Sequence, residues 1–161
     1  MDNYITRGKY AEVSRRVKRL QEVEIPEVAK AKMLAAEEGD LRENGGYHAA
    51  KERLELLGQQ LEELQQYLIS PKFIEDIQIS GDLVTLGTVV KVQDVKTQQV
   101  VEYSILGPAD SDPDNNILSC QTPIARGLMR KKAGEECKIP TPGGIKVFKI
   151  LGVRRYVDDR D

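Results

Sequence analysis

Asp40 and Glu43 are the residues whose type and spacing point most directly to chemistry. They lie three apart in Gly39-Asp40-Leu41-Arg42-Glu43-Asn44. At the start of a helix that spacing projects both carboxylates to one side. A pair of exposed carboxylates suits Mg²⁺, a hard cation that binds through carboxylate oxygen and keeps several waters. Two carboxylates do not complete an all-protein site, so the cation has to be shared with another macromolecule. A two-metal phosphoryl-transfer centre accepts such help. The same spacing has a structural use: Asp40 followed by Glu43 is a capping box for a helix beginning at Leu41, contributing about 1 kcal/mol. Cys120 and Cys137 form no CxxC pair, and the single histidine, His48, lies far from both. Buried or incidental thiols are expected there rather than a zinc site.

The elements that position the acidic pair can be read from periodicity. From Tyr47 on, the apolar positions Tyr47, Ala50, Leu54, Leu57, Leu61, Leu64 and Leu68 step alternately by 3 and 4. That is a heptad seam, and it needs a partner helix to cover it. Val13, Val17 and Leu20 keep the same rhythm, which slips near Pro26 and resumes with Val28, Ala31 and Ala35. Proline lacks an amide hydrogen and crowds the preceding turn, so a kink or break is expected there. Between the two helices the segment 39–46 holds glycines at 39, 45 and 46, which let the chain reverse. An antiparallel two-helix coiled coil over residues 1–76 follows, with its tip near 39–46. An arm of about 30 residues reaches roughly 45 Å at 1.5 Å per residue.

Ser70-Pro71 ends the helical half, since the residue before proline is pushed out of the helical region. Residues 77–161 change texture. Strands are expected over 88–95 and 100–106, where Val101, Tyr103 and Ile105 alternate. A polar loop covers 110–116, and Pro123 opens a short helix through 124–130. Strands at 137–140 and 145–153 are joined by Thr141-Pro142-Gly143-Gly144, a proline-glycine pair that favours a type II turn. The fold class is therefore α+β: a helical hairpin followed by a small mixed domain.

Composition fits this picture. Charged residues make up 31% of the 161 and apolar ones 40%, which suits a folded chain. No run approaches the roughly 18 apolar residues of a membrane helix. The segment MDNYITRGKY lacks a signal-peptide core, so a cytoplasmic location and no membrane partner are expected. A net charge of −2 does not advertise a nucleic-acid binder. Charges are nevertheless segregated: Arg15, Arg16, Lys18 and Arg19 cluster early, and Glu37, Glu38, Asp40 and Glu43 surround the loop. Such runs are commonly solvated helix faces.

The segment 38–52, EGDLRENGGYHAAKE, resembles a signature of the Gre family of bacterial transcript-cleavage factors. The opening 5–20, ITRGKYAEVSRRVKRL, is similar to the family's first helix. The segment 122–151, TPIARGLMRKKAGEECKIPTPGGIKVFKIL, resembles its C-terminal signature. PIARGL and PTPGG stand closer to the GreA branch than to the GreB branch. The resemblance implies a coiled coil followed by a C-terminal domain like FKBP-type prolyl isomerases. It implies that this domain docks at the rim of the secondary channel of bacterial RNA polymerase while the coiled coil reaches the catalytic centre. There the acidic pair, matched here by Asp40 and Glu43, supports Mg²⁺ held jointly with the polymerase, with no cofactor bound by the isolated protein. The polymerase then cleaves backtracked RNA, so the factor is not itself an enzyme. The nascent RNA 3′ end is a second implied partner, and a monomer is expected.

Within that resemblance Arg42 faces RNA phosphate or polymerase, Tyr47 stacks on a base or packs in the seam, and Lys51 guides extruded RNA. Arg15, Arg16, Lys18 and Arg19 are assigned to polymerase contact. The chain departs from many relatives at Gly45-Gly46, where they carry Ala-Glu, and at Ala36, where they carry arginine. The departures leave room for a channel binder that modulates without cleaving. A prolyl isomerase is the reading from another class, but the second half has no Trp and Phe148 as its only Phe.

Overall fold

The computed structural model describes residues 3–158. The chain divides into two compact units, Tyr10–Ile69 and a second made of residues 3–9 with 70–158. The class is α+β. The division expected between 76 and 77 falls instead at Ser70, and the first residues belong with the sheet. The outer ends of the expected ranges, residues 1–2 and 159–161, lie outside the described residues. No helix among the described residues is long and apolar enough to cross a membrane.

Helix α1 (Arg7–Arg19) passes through a π-helical turn, Leu20–Glu24, into α2 (Ile25–Ala36). The break expected at Pro26 is thus a π turn within a continuing helix. Ile25 N–H donates to Leu20 O five residues back. Pro26 has no N–H to donate, and the widened turn relieves its ring against the preceding carbonyls. The extra residue of that turn also explains the slip in the seam. Val13, Val17 and Leu20 are buried, but past the turn the covered positions become Val28, Lys32 and Ala35, while Ala31 is exposed, contrary to the expected pattern.

Helix α3 (Gly45–Gln66) returns alongside. Arg16 meets Gln60, Lys32 meets Tyr47 and Ala35 meets Asn44. Partners that rise along one helix as they fall along the other define an antiparallel hairpin. The predicted seam is the covered face of α3: Ala50 and Leu57 are buried, and Tyr47, Leu54, Leu61 and Leu64 are half-buried, as is Leu68 just past the helix end. Full burial of Leu20 and Leu57 contributes about 1.5–3 kcal/mol each.

In the second unit β1 (Asn3–Ile5) pairs in parallel with β2 (Pro71–Phe73), with Tyr4 opposite Lys72. Asn3–Ile5 lies in the stretch expected to be helical and Pro71–Phe73 just past the expected helix end; strands of three residues are too short to display a period of two. Asp110, buried, accepts from Thr6 N–H at 2.9 Å and from Thr6 Oγ1 at 2.7 Å, while Thr6 Oγ1 accepts from Lys9 N–H at 3.1 Å and so caps α1. Five further strands follow: β3 (Thr88–Asp94), β4 (Val100–Leu106), β5 (Ile117–Ser119), β6 (Glu136–Thr141) and β7 (Gly144–Arg155). Their order is β5-β4-β3-β7-β6, antiparallel except for β4 with β5. The turn between β6 and β7 differs from expectation. Positive φ falls on Gly144 (116°), whereas a type II turn places it on Gly143. Thr141 and Gly144 pair directly across the turn, and the register runs without interruption to Glu136 opposite Lys149.

Helix α4 (Pro123–Leu128) covers a core of Val90, Val92, Ile105, Leu128, Ile139 and Ile150. Cys137 lies in that core and Cys120 is packed against it; burial pushes both thiols above the ordinary cysteine range. α4 approaches β6 through Gly127, where a Cβ would stand 2.8 Å from Ile139 Cγ1. Gly127→Ala is expected to lower stability by about 1–3 kcal/mol, although alanine is the better helix former. Urea denaturation reads this directly, and an unchanged midpoint would mean that Ile139 yields freely.

Candidate functional site

The turn between α2 and α3 is built from three small devices. Gly39, at φ 137°, takes a conformation that side chains rarely adopt and turns the chain away from α2. Asp40 then accepts from Arg42 N–H through Oδ1 at 2.9 Å, closing a 3₁₀ turn over Leu41–Glu43. Asn44 accepts from Tyr47 N–H at 3.0 Å and caps α3. Asp40 therefore does cap a turn, as the structural reading had it, but the α-helix starts at Gly45 and not at Leu41. Asn44 is the better cap for it because its amide also donates to Ala35 O at 2.5 Å. Of the loop glycines only Gly39 uses a positive φ; Gly45 and Gly46 lie in the first turn of α3.

Asp40 and Glu43 are both exposed. Among the described residues Glu43 makes no hydrogen bond and Asp40 uses one oxygen only. The loop thus offers anionic oxygen atoms that folding has not consumed. Among the described residues no three His, Cys, Asp or Glu side chains gather to hold a metal. As a donor set the pair fits part of an Mg²⁺ shell, with its remaining ligands supplied from elsewhere.

Arg42 is exposed between the two carboxylates, with its carbonyl 3.3 Å from His48 Nε2. Tyr47 is half-buried, its ring 5.7 Å from Lys32 Nζ and edge-on to His48 at 5.5 Å. Of its two expected uses, packing is the one these contacts describe. Lys51 lies exposed one turn further along α3. Arg15, Lys18 and Arg19 are exposed on the last turns of α1, about 16 to 20 residues before Ala35, or roughly 24–30 Å along the helix. Arg16, half-buried, pairs with Glu24 of the π turn, as Arg19 does at 3.9 Å, and it also donates to Gln60 at 3.2 Å, bracing the hairpin. The loop thus gathers Asp40, Arg42 and Glu43, with Tyr47 just behind, while the basic group stands apart from them.

Sequence reasoning passed over Asn44, Lys32 and His48. Asn44 had a signal, since asparagine before a helical run is a preferred cap. Lys32 had none, because its placement depends on the π turn. At Gly46 a Cβ would meet Ala35 Cβ at 3.7 Å, an ordinary contact, and at Gly45 it would meet nothing within 4 Å. Gly45→Ala and Gly46→Ala should each stabilise the hairpin by about 0.5 kcal/mol through the unfolded chain. A thermal midpoint that falls in either variant would show that these glycines relieve a constraint.

The family model described as "Transcription elongation factor, N-terminal" matches residues 3–70. The model described as "Transcription elongation factor, GreA/GreB, C-term" matches residues 79–155. The transcription elongation factor GreA of Nitratiruptor sp. is 36% identical over 149 residues, covering 92% of this chain and 91% of that protein. GreA of Maricaulis maris is 39% identical over 137 residues, covering 85% and 87%. A solved GreA/GreB factor from Nitrosomonas europaea is 23% identical with a TM-score of 0.43, covering 65% of this chain and 91% of that one. Two successive family models thus account for the hairpin and the sheet alike, and the chain belongs to the GreA/GreB family of transcription elongation factors.

Proposed function

We propose that this chain enters the secondary channel of bacterial RNA polymerase, tip first, and stimulates the polymerase to cleave backtracked RNA. The observation that carries this reading is the exposure of Asp40 and Glu43 on the turn of an antiparallel hairpin, with their oxygens largely unspent on folding. Their charge is useful only where another molecule supplies the rest of a cation's shell. A shared Mg²⁺ supplies Lewis acidity toward a phosphodiester and lowers the pKa of water. Asp40 and Glu43 contribute oxygen ligands and accept hydrogen bonds from water, fixing its approach. Arg42 offsets phosphate charge beside them. Lys51 lies along the path of the extruded strand, and its contribution is the salt-sensitive one. Tyr47 holds the base of the tip by packing. Arg15, Lys18 and Arg19 face the polymerase nearer the other end of the hairpin, while Arg16 keeps its internal role.

Hydrolysis belongs to the polymerase, and the factor acts by supplying ligands and position. The test is a purified, backtracked elongation complex with Mg²⁺. Added protein should shorten the RNA from its 3′ end and restore elongation. Protein that binds the complex while the RNA keeps its length would sink the proposal and leave a non-cleaving channel binder.

A further inference from the structure

We propose that Asn44 is a positioning residue for the acidic pair, a role that rests on the cleavage reading of Asp40 and Glu43. The loop 39–43 is exposed, so packing does not hold it. Among the described residues it is tied back to the helices at two places. One is a 3.3 Å contact between His48 Nε2 and Arg42 O. The other is Asn44, the residue directly after Glu43.

Asn44 uses its whole amide. Nδ2 donates to Ala35 O at 2.5 Å, at the end of α2, and Oδ1 accepts from Tyr47 N–H at 3.0 Å, in the first turn of α3. Its backbone carbonyl accepts from His48 N–H at 3.1 Å. One side chain thereby spans the two helix ends and fixes their separation, and with it the base from which Leu41–Glu43 is suspended. A helix cap alone needs only the acceptor; serine and aspartate serve it as well as asparagine. The donor to Ala35 O is what only the amide supplies here. Serine is too short to span, and aspartate turns a carboxylate toward a carbonyl.

This separates a positioning role from a cap. Asn44→Ser and Asn44→Asp keep the cap and lose the tie; Asn44→Ala loses both. Cleavage by the stalled complex is measured at saturating factor across a range of Mg²⁺, with polymerase affinity and thermal midpoint measured in parallel. Asn44→Ser should keep its midpoint and Asn44→Asp, whose carboxylate faces the Ala35 carbonyl, should lose a little; both should bind polymerase within about twofold, yet cleave at least about 10-fold more slowly and need several-fold more Mg²⁺, since an ångström of misplacement is enough for such losses. Asn44→Ala should show the same defect with a lowered midpoint. Cleavage and Mg²⁺ dependence like the parent in Asn44→Ser and Asn44→Asp would reduce Asn44 to a cap and overturn the inference, as would a loss explained wholly by weaker binding. The control is Asp40→Asn with Glu43→Gln. If it is inactive while Asn44→Ser is normal, this inference fails alone; if it is active, the function reading fails and takes this one with it.

Discussion

Asp40→Asn combined with Glu43→Gln should abolish stimulation of RNA cleavage, by at least about 100-fold, while leaving fold and polymerase binding intact. Both replacements are isosteric and both positions are exposed, so neither opens a cavity nor strands a buried group. Asparagine at 40 retains an oxygen to accept from Arg42 N–H, so the 3₁₀ turn closes as before. Only the negative charge and its affinity for a hard cation are removed. The loss should therefore appear in the rate at saturating factor and not in affinity, and competition with the parent protein for polymerase separates the two. Single replacements should fall between parent and double variant, with partial recovery at high Mg²⁺ where one carboxylate remains. Full cleavage by the double variant would remove the catalytic role and leave the exposed pair as solubilising charge.

That prediction was available from the sequence because the hairpin advertises itself. Seven apolar positions in alternating steps of 3 and 4 were enough to orient α3, and the six of them that lie on the helix are its covered face. The alternation of Val101, Tyr103 and Ile105 likewise exposed β4. What remained hidden depends on partners distant in the chain. β1 and β2 are three residues each and exist by virtue of one another, across 68 residues of sequence from Asn3 to Pro71. Asp110 had no sequence signal for its role, since its partner, Thr6, lies 104 residues away. The π turn was visible only as a slipped rhythm at Pro26, and its consequence, Lys32 covered in place of Ala31, requires counting the extra residue. At the tip the acidic pair was legible, but the cap was misplaced: the pattern Asp40 then Glu43 satisfies a capping box, while Asn44 makes the bond that starts the helix. Two side chains four residues apart competed for one function, and asparagine prevailed because its amide reaches Ala35 as well.

Gly107→Ala should cost about 3 kcal/mol or more and release the first strand from the second unit, the largest stability effect expected of any single methyl group here. A Cβ at position 107 would lie 2.0 Å from Tyr4 O and 2.9 Å from Tyr4 C. Both are backbone atoms, so no rotamer change relieves the overlap, unlike Gly127, where the obstruction is the Ile139 side chain. β1 has to move away, and its displacement is not a local matter. Tyr4 is the central residue of the β1–β2 pair, Ile5 beside it is fully buried, and Thr6 next to that makes two bonds to the buried Asp110 carboxylate. Moving the strand threatens the ladder, uncovers Ile5 and leaves Asp110 with a charge whose hydrogen bonds are stretched, a burden of about 1–3 kcal/mol by itself. Urea denaturation gives the total, and hydrogen exchange at the amides of Ile5 and Thr6 reports whether β1 is what gives way. Asp110→Ala should produce the same pattern of exchange from the other side of the contact. If Gly107→Ala unfolds at the parent's midpoint with those amides still protected, β1 tolerates a shift of more than an ångström, and the strand is an accessory to the sheet instead of part of its core.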